Sequence, residues 1–454
     1  MSINNSTSLS GGNITDISQF DGCKLIANYW SSIKPNAETL TKEFNVSIVN
    51  ESLVFVGDVH GDLNQFLAPL VLTCAITITN QVEEHKLGNT IVCTPKYDLN
   101  DTFKSSKIKI VYLGDLIDEW IFSRTVVFMM RDLLSKLPNN IFYIYGNHDL
   151  AVIGRYHLFK QKKLNFALDL PPLWQTLKKE LNHVRNLKLY KTIAELDGEP
   201  VKGYDYIYNY VEPIFDCLFD MFKDNQGRVS LVVQIKGKSF MVSHTTWTSQ
   251  ALLQLITNND EIKLKSDRPG DLADSQRKQV LENVNSHQIS TSDIQYIKSI
   301  ASMEVEHDKI DYQKLSSIIN NIFRTKSRLY ISKNLLTYTR LMKNIIVNHI
   351  IGHSSGAEFR DQNVNPGVAT YYHERQAKLQ PTFFNGRTVF YFDFGCSAGY
   401  DHDEIGHPDF VYSNPSGLFV SNLPAFSFII SNNKDSMLVM KDKTPRSPNR
   451  IVID

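Results

Sequence analysis

The sequence predicts a layered α/β fold, on three observations. Short apolar runs rich in Val, Ile, Phe and Tyr recur along the 454 residues. Segments with apolar residues at helical spacing separate the first of these runs. Several runs end on Asp, Asn or His, polar residues that a buried strand has no structural need of at its tip. Strand, helix, strand, helix, strand is the pattern of a sheet covered by helices.

Taken in order, residues 1–50 read as an N-terminal extension. Its opening, MSINNSTSLSGGNITDISQF, is polar and lacks the apolar segment of a secretion signal, so a flexible start is expected. Residues 51–454 read as one domain with two insertions. A strand is expected over 52–58 (SLVFVGD), followed by a helix in LNQFLAPLVLTCA. A second strand covers 109–115 (KIVYLGD), and the helix SRTVVFMMRDLLSKL follows it, stopped by Pro138. The third strand covers 140–147 (NIFYIYGN).

The first insertion, 155–228, contains YDYIYNYVEPIFDCLFDMF, read as a buried helix with Pro213 as a kink or boundary. RVSLVVQIKGKSFMV then reads as a hairpin turning near Gly237, with its second arm, 238–244, as the fourth site-bearing strand. The second insertion, 248–340, has a largely helical pattern and is expected to cap one end of the sheet. Strands over 343–353 and 388–395 follow. GLFVSN, AFSFIIS, SMLVMK and RIVID close the chain, read as a second, mostly antiparallel sheet packed on the first.

Composition narrows the class. Forty-eight basic residues balance 48 acidic ones, so the chain lacks the electrostatic footprint of a nucleic-acid binder. No apolar stretch is long enough to span a bilayer, so no membrane partner is expected. Five scattered cysteines with no CxxC pair argue against a disulfide framework and a thiolate zinc site. A cytoplasmic or other reducing intracellular setting is the expectation. Abundant Asn, Ile, Lys and Tyr fit an AT-rich genome, a viral one included.

The strand ends carry the chemistry. The first gives GDVHGD (Asp58, His60), the second GDLID (Asp115, Asp118) and the third GNHD (Asn147, His148). The fourth gives SHTTW (His244) and the fifth GHSSG (His353). In open α/β sheets, ligands bind at the carboxyl ends of strands. Imidazole with carboxylate suits divalent zinc, manganese or iron. Asp58 and His60 are two apart, so on extended chain they point to one side. Asp58, Asp115, Asn147, His60, His244 and His353 are too many donors for one tetrahedral ion. They suit two ions sharing a carboxylate, and Asp115 is the candidate bridge. A neutral ligand, Asn147, keeps the rim positive, and such a rim attracts a phosphate ester. Two ions about 3.5–4 Å apart generate hydroxide and clamp the attacking and leaving oxygens of an in-line displacement. His148 is then free to act as general acid on the leaving oxygen, with Asp118 to orient it.

These motifs, in this order, resemble the calcineurin-like metallophosphoesterase superfamily. GNHD and the later DFGCSAGY are most similar to the branch of protein Ser/Thr phosphatases and symmetrical dinucleoside-tetraphosphate hydrolases. The resemblance covers about 52–150 and scattered points to about 400, leaving out the insertions and the N-terminus. It implies an α/β/β/α sandwich with two divalent ions (manganese, iron or zinc). One ion would be held by Asp58, His60 and Asp115, and the other by Asp115, Asn147, His244 and His353. His148 and Asp118 match the catalytic pair. The implied activity is hydrolysis of a phosphoprotein. Nucleotide, dinucleoside-polyphosphate or diester hydrolysis is the alternative, and a weakened binding protein is another.

Two features depart from that pattern. Glu119 stands where an Arg that grips phosphate is expected, which leaves Arg124 and Arg155 as substrate-binding candidates. SHTTW replaces the usual small residues after the fourth motif's His. The other polar residues have plainer readings. Asp62 reads as a cap of the helix beginning at Leu63 or as a further ligand, Asp149 caps or braces its loop, and His349 sits in the core. His373, His402 and His407 lie on surface loops, Asp393 supports the site, and Cys396 packs.

Overall fold

Strand β1 (Ser52–Val56) runs through the centre of the larger sheet, fully walled in by apolar side chains; Val54, Phe55 and Val56 have no exposed surface. The computed structural model describes residues 52–183 apart from 89 and 120–121, and 205–244 apart from 229 and 236–237. It also describes 296–297, 299, 309–311, 313–315, 348–352, 382–384, 387–391, 428–432, 436–440 and 449–452.

Two mixed sheets form the body, with helices against them. On one side of β1 lie β4 (Lys109–Tyr112) and β5 (Ile141–Tyr143), both parallel to their neighbours. On the other side lie β11 (Phe428–Asn432), β12 (Ser436–Met440) and β13 (Asn449–Val452), all antiparallel. The order is β13-β12-β11-β1-β4-β5. The second sheet runs β6-β7-β8-β10-β9. It comprises β6 (Ser230–Ile235), β7 (Lys238–Ser243), β8 (Asn348–Ile351), β9 (Thr382–Phe384) and β10 (Arg387–Tyr391). β7, β8 and β10 are parallel, while β6 and β9 are antiparallel edges.

This corrects one expectation. The C-terminal strands do not build a sheet of their own; β11 to β13 extend the first sheet through the pairing of β11 with β1. The sequence lists strands but not partners, and pairing across some 370 residues leaves no local mark. A second feature escaped the sequence reading. β2 (Ile76–Leu87) and β3 (Thr90–Leu99) form a separate two-stranded sheet. Its signal is the Gly88-Asn89 pair between the arms; Gly88 has φ +55°, as a tight hairpin needs.

The helices fill the remaining faces. The eight in the described residues include α1 (Leu63–Leu72), α2 (Asp101–Lys104) and α3 (Ser123–Lys136). Apolar residues at helical spacing in α3 bury Val126, Val127, Met130, Leu133 and Leu134. Then come α4 (Asn147–Ile153), α5 (Tyr156–Lys160), α6 (Phe166–Asp169), α7 (Pro171–His183) and α8 (Asp205–Lys223). Helix α8 continues through Pro213, so of the two expectations there, a kink or a boundary, the boundary does not hold. It buries Ile214, Phe215 and Leu218, and Phe215 stacks on Phe159 at 4.0 Å. An Arg131–Asp220 pair at 2.9 Å ties α8 to α3.

Most of the expected helical cap, 248–340, lies outside the described residues, as do residues 1–51. Of the described part, Ile297, Ile310 and Leu315 are buried in the main core, and Leu315 lies against Gly154 at the end of α4. Cys93 is disulfide-bonded, and Cys74 and Cys217 are free thiols. Among the described residues, no helix is long and apolar enough to cross a membrane.

Candidate metal centre

The strands stop short of the residues that matter. β1 ends at Val56, β4 at Tyr112 and β5 at Tyr143, and the loops beyond them carry the polar side chains. Backbone hydrogen bonds lock the first two loops together. Val59 and His60 N–H donate to the Asp115 carbonyl at 3.1 and 2.7 Å, and Gly61 N–H donates to Leu116 at 2.8 Å. The second sheet is drawn in beside β5, because Tyr145 N–H donates to the Arg228 carbonyl and Arg228 N–H donates to the Tyr143 carbonyl, on either side of Ile144. Its strand β7 ends one residue before His244.

Asp58 and His60 converge differently from the extended-chain expectation. His60 adopts the left-handed conformation, φ +46°, so a turn rather than strand alternation brings the two together. Asp115, Asp118 and Glu119 also have positive φ, at +45°, +74° and +56°. A non-glycine residue in this region is held there by its surroundings, at a cost of about 1–3 kcal/mol each.

Asp115 Oδ2 is the hub. The Nε2 atoms of three histidines surround it: His244 at 3.4 Å, His60 at 3.9 Å and His148 at 3.9 Å. Asp58 Oδ2 is 3.8 Å from His60 Nε2, and Asp58 Oδ1 is 3.7 Å from His244 Nδ1. Asn147 Oδ1 is 3.1 Å from His244 Nε2. Asp58, His60, Asp115 and His244 are buried, and Asn147 nearly so. Asp115, Asp58 and His244 offer atoms within 4.8 Å of one another, as do Asp115, His60 and His148.

Each imidazole is aimed by its other nitrogen. His244 Nδ1 faces the Leu113 carbonyl at 2.7 Å, and His60 Nδ1 faces the Ile117 carbonyl at 3.2 Å. A carbonyl only accepts, so Nδ1 carries the proton and Nε2 is turned towards Asp115. His148 Nδ1 donates to Asp118 Oδ2 at 2.6 Å. Its side chain is 18% exposed against 1–2% for His60 and His244, so His148 is the imidazole within reach of an incoming molecule.

The charges are strongly coupled. Burial alone would raise the Asp115 carboxyl, but His244 and His148 beside it hold it well below the usual range. Burial alone would lower His244; Asp115 and Asp58 outweigh it and lift the imidazole to about 9. Burial likewise opposes protonation of His148, yet Asp115 and the Asp118 hydrogen bond raise it to about 10. Burial pushes Asp118 up against the pull of His148. Glu119 adds negative charge to both members of this pair, so its carboxylate acts on the site.

His353, the sixth residue expected to bind metal, lies outside the described residues. Gly352 before it is described, and a Cβ there would fall 2.5 Å from Asp58 Oδ1. The two arginine candidates each make contacts away from the cluster. Arg124 donates to the Ile91 carbonyl at 2.6 Å and lies over the Tyr210 ring at 4.0 Å. Arg155 Nε is 3.9 Å from Asp169. Neither contact involves the cluster. His373, Asp393, Cys396, His402 and His407 are outside the described residues. The carbonyls of Leu113 and Ile117 have no counterpart in the sequence reading, because a backbone group has no residue-type signal.

The site fits a metal. Asp115 Oδ2 is a buried carboxylate oxygen with three imidazole Nε2 atoms 3.4–3.9 Å away, so potential ligand atoms from separate loops converge on one water-poor point. Carboxylate, imidazole and amide oxygen is a donor set for zinc, manganese or iron.

Residues 52–266 match the family model of calcineurin-like phosphoesterases. No match was found among curated proteins. Among solved structures, the chain is similar to a cold-active protein-tyrosine phosphatase of the psychrophile Shewanella sp. Identity is 12%, with 89% of this chain and 80% of that chain covered and a TM-score of 0.38. A second structure of a cold-active protein tyrosine phosphatase gives 12% identity, 88% and 78% coverage, and a TM-score of 0.35.

Proposed function

We propose, from the match of residues 52–266 to the calcineurin-like phosphoesterase model and from the geometry of the centre, a two-metal phosphoprotein phosphatase of the Ser/Thr type. The observation that carries the reading is the buried Asp115 Oδ2 with three imidazole Nε2 atoms and Asp58 gathered around it. Asp58, His60, Asp115, Asn147 and His244 would hold the ions, with His353 as the remaining donor. Asp115 would be shared between the two. When bound, divalent ions neutralise phosphoryl charge and make water nucleophilic near neutral pH.

The chain's own residues do the rest. His148 presents Nε2 to the leaving oxygen and supplies its proton. Asp118 receives the Nδ1–H bond, fixing the ring and holding the proton ready. The low exposure of the cluster keeps its electrostatics strong. Phosphoserine and phosphothreonine supply an alkoxide leaving group that needs such an acid.

Glu119 favours a second reading. Its charge acts on Asp118 and His148 and would oppose a phosphate dianion, which a singly charged diester tolerates better. Purified protein with manganese, assayed on a phosphoserine peptide, a dinucleoside tetraphosphate and an aryl phosphodiester, separates the readings. The proposal expects the highest kcat/KM on the peptide. Faster turnover of the diester or the nucleotide overturns it, and metal binding without turnover of any ester marks a binding protein.

A further inference from the structure

Asp149 is fully buried, and both its oxygens are committed. Oδ2 accepts from Gly146 N–H at 2.9 Å, within its own loop after β5. Oδ1 accepts from Leu116 N–H at 3.0 Å, in the loop after β4. The reverse link also exists: Asp115, in the β4 loop, accepts through Oδ1 from His148 N–H at 3.0 Å, in the β5 loop. The two loops thus exchange carboxylates. Each Asp accepts from the backbone amide of the residue beside the other, Asp149 from Leu116 and Asp115 from His148. Gly146 makes the approach possible, since a Cβ there would run into Asp115 Oδ1.

We propose that Asp149 is a positioning residue for the reaction, the outer half of a reciprocal carboxylate clasp that sets the spacing between Asp115 Oδ2 and the His148 imidazole. This rests on the two-metal reading above. The clasp leaves Asp115 only one oxygen, Oδ2, to face the cluster. It fixes the amide that carries His148 at the same time. Freed from Asp149, the β4 loop can shift relative to the β5 loop, and the cation site and the acid lose their mutual geometry. A ligand's hydrogen-bonded supports typically matter about 10–100-fold in metal affinity or activity.

The test is Asp149→Asn. An amide offers one acceptor and one NH2, so one of the two backbone N–H groups would face a donor. Manganese affinity of the chelated protein is measured by calorimetry, and kcat and KM on an aryl phosphate are measured per folded molecule. The proposal expects affinity and kcat each lower by about tenfold or more, with KM within about twofold of wild type. A purely structural role would reduce the folded fraction and leave both per-molecule values at wild type, which overturns the proposal. Should Asp149→Asn not fold, Asp149→Glu keeps the charge and both acceptors one methylene further out, and the same values decide. Wild-type turnover with unaffected variants sinks the clasp alone. Wild-type protein that binds no manganese sinks the two-metal reading and the clasp with it.

Discussion

Asp115 shows how one residue can be asked to do two jobs. One oxygen bonds a neighbouring loop's amide, and the other is left among three imidazoles. The division of labour among those imidazoles makes definite claims. His148→Ala should lower kcat by about 10²–10⁴-fold with manganese affinity kept, as expected for loss of a general acid, and steady-state kinetics with calorimetry checks both parts. Proton linkage gives a second expectation. In the metal-free protein the neighbouring carboxylates lift His244 to about 9, so its proton stabilises the fold below about pH 6.5 and that contribution fades as pH rises through about 9. A metal must displace this proton. Manganese affinity should therefore rise with pH up to about 9, and proton release should appear as a buffer-dependent binding enthalpy. Affinity flat from pH 6 to 9 would contradict the assignment of His244 as a ligand.

At the scale of elements, the site is a set of loops pinned to strand ends. Gly146 is where two of them touch, and Gly146→Ala should abolish manganese binding and destabilise the protein by about 1–3 kcal/mol, read from calorimetric titration and denaturant melts. Much of this level was legible in the sequence. β1, β4, β5, β7 and β8 lie within the apolar runs that predict them, and β10 starts one residue before its run, because a strand buried on both faces needs a continuous run. Asp58, His60, Asp115, Asn147 and His244 stood out because each follows such a run, where packing gives no reason for a polar group. What could not be read was non-local. Nothing in FIISN says that β11 pairs with β1. The left-handed turn at His60 and the carbonyl supports of His60 and His244 depend on backbone meeting from distant segments. The β2–β3 hairpin was readable from Gly88-Asn89, but its arms alternate too irregularly to attract notice.

For the whole molecule, the two sheets meet at their carboxyl ends, and the candidate centre lies at that junction. The first sheet supplies Asp58, Asp115 and Asn147, and the second supplies His244. A bound metal would therefore fasten one sheet to the other. Saturating manganese, at about 100 times its Kd, should stabilise the fold by about 2.7 kcal/mol for each ion bound, and a chelator should reverse it, seen as a shift in Tm. An identical Tm with and without metal would mean that the junction holds no ion. The same junction explains why residues so far apart in the chain share one site: parallel strands deliver their ends to one edge.

The most direct measurement is a manganese titration of the chelated protein, wild type against Asp115→Asn, with phosphoester turnover followed in the same samples. The account predicts two ions bound per wild-type chain and turnover that needs them. In the variant, turnover should vanish and at least one ion should be lost. Wild-type protein that binds no manganese, or a variant that binds two ions and turns over normally, would contradict it.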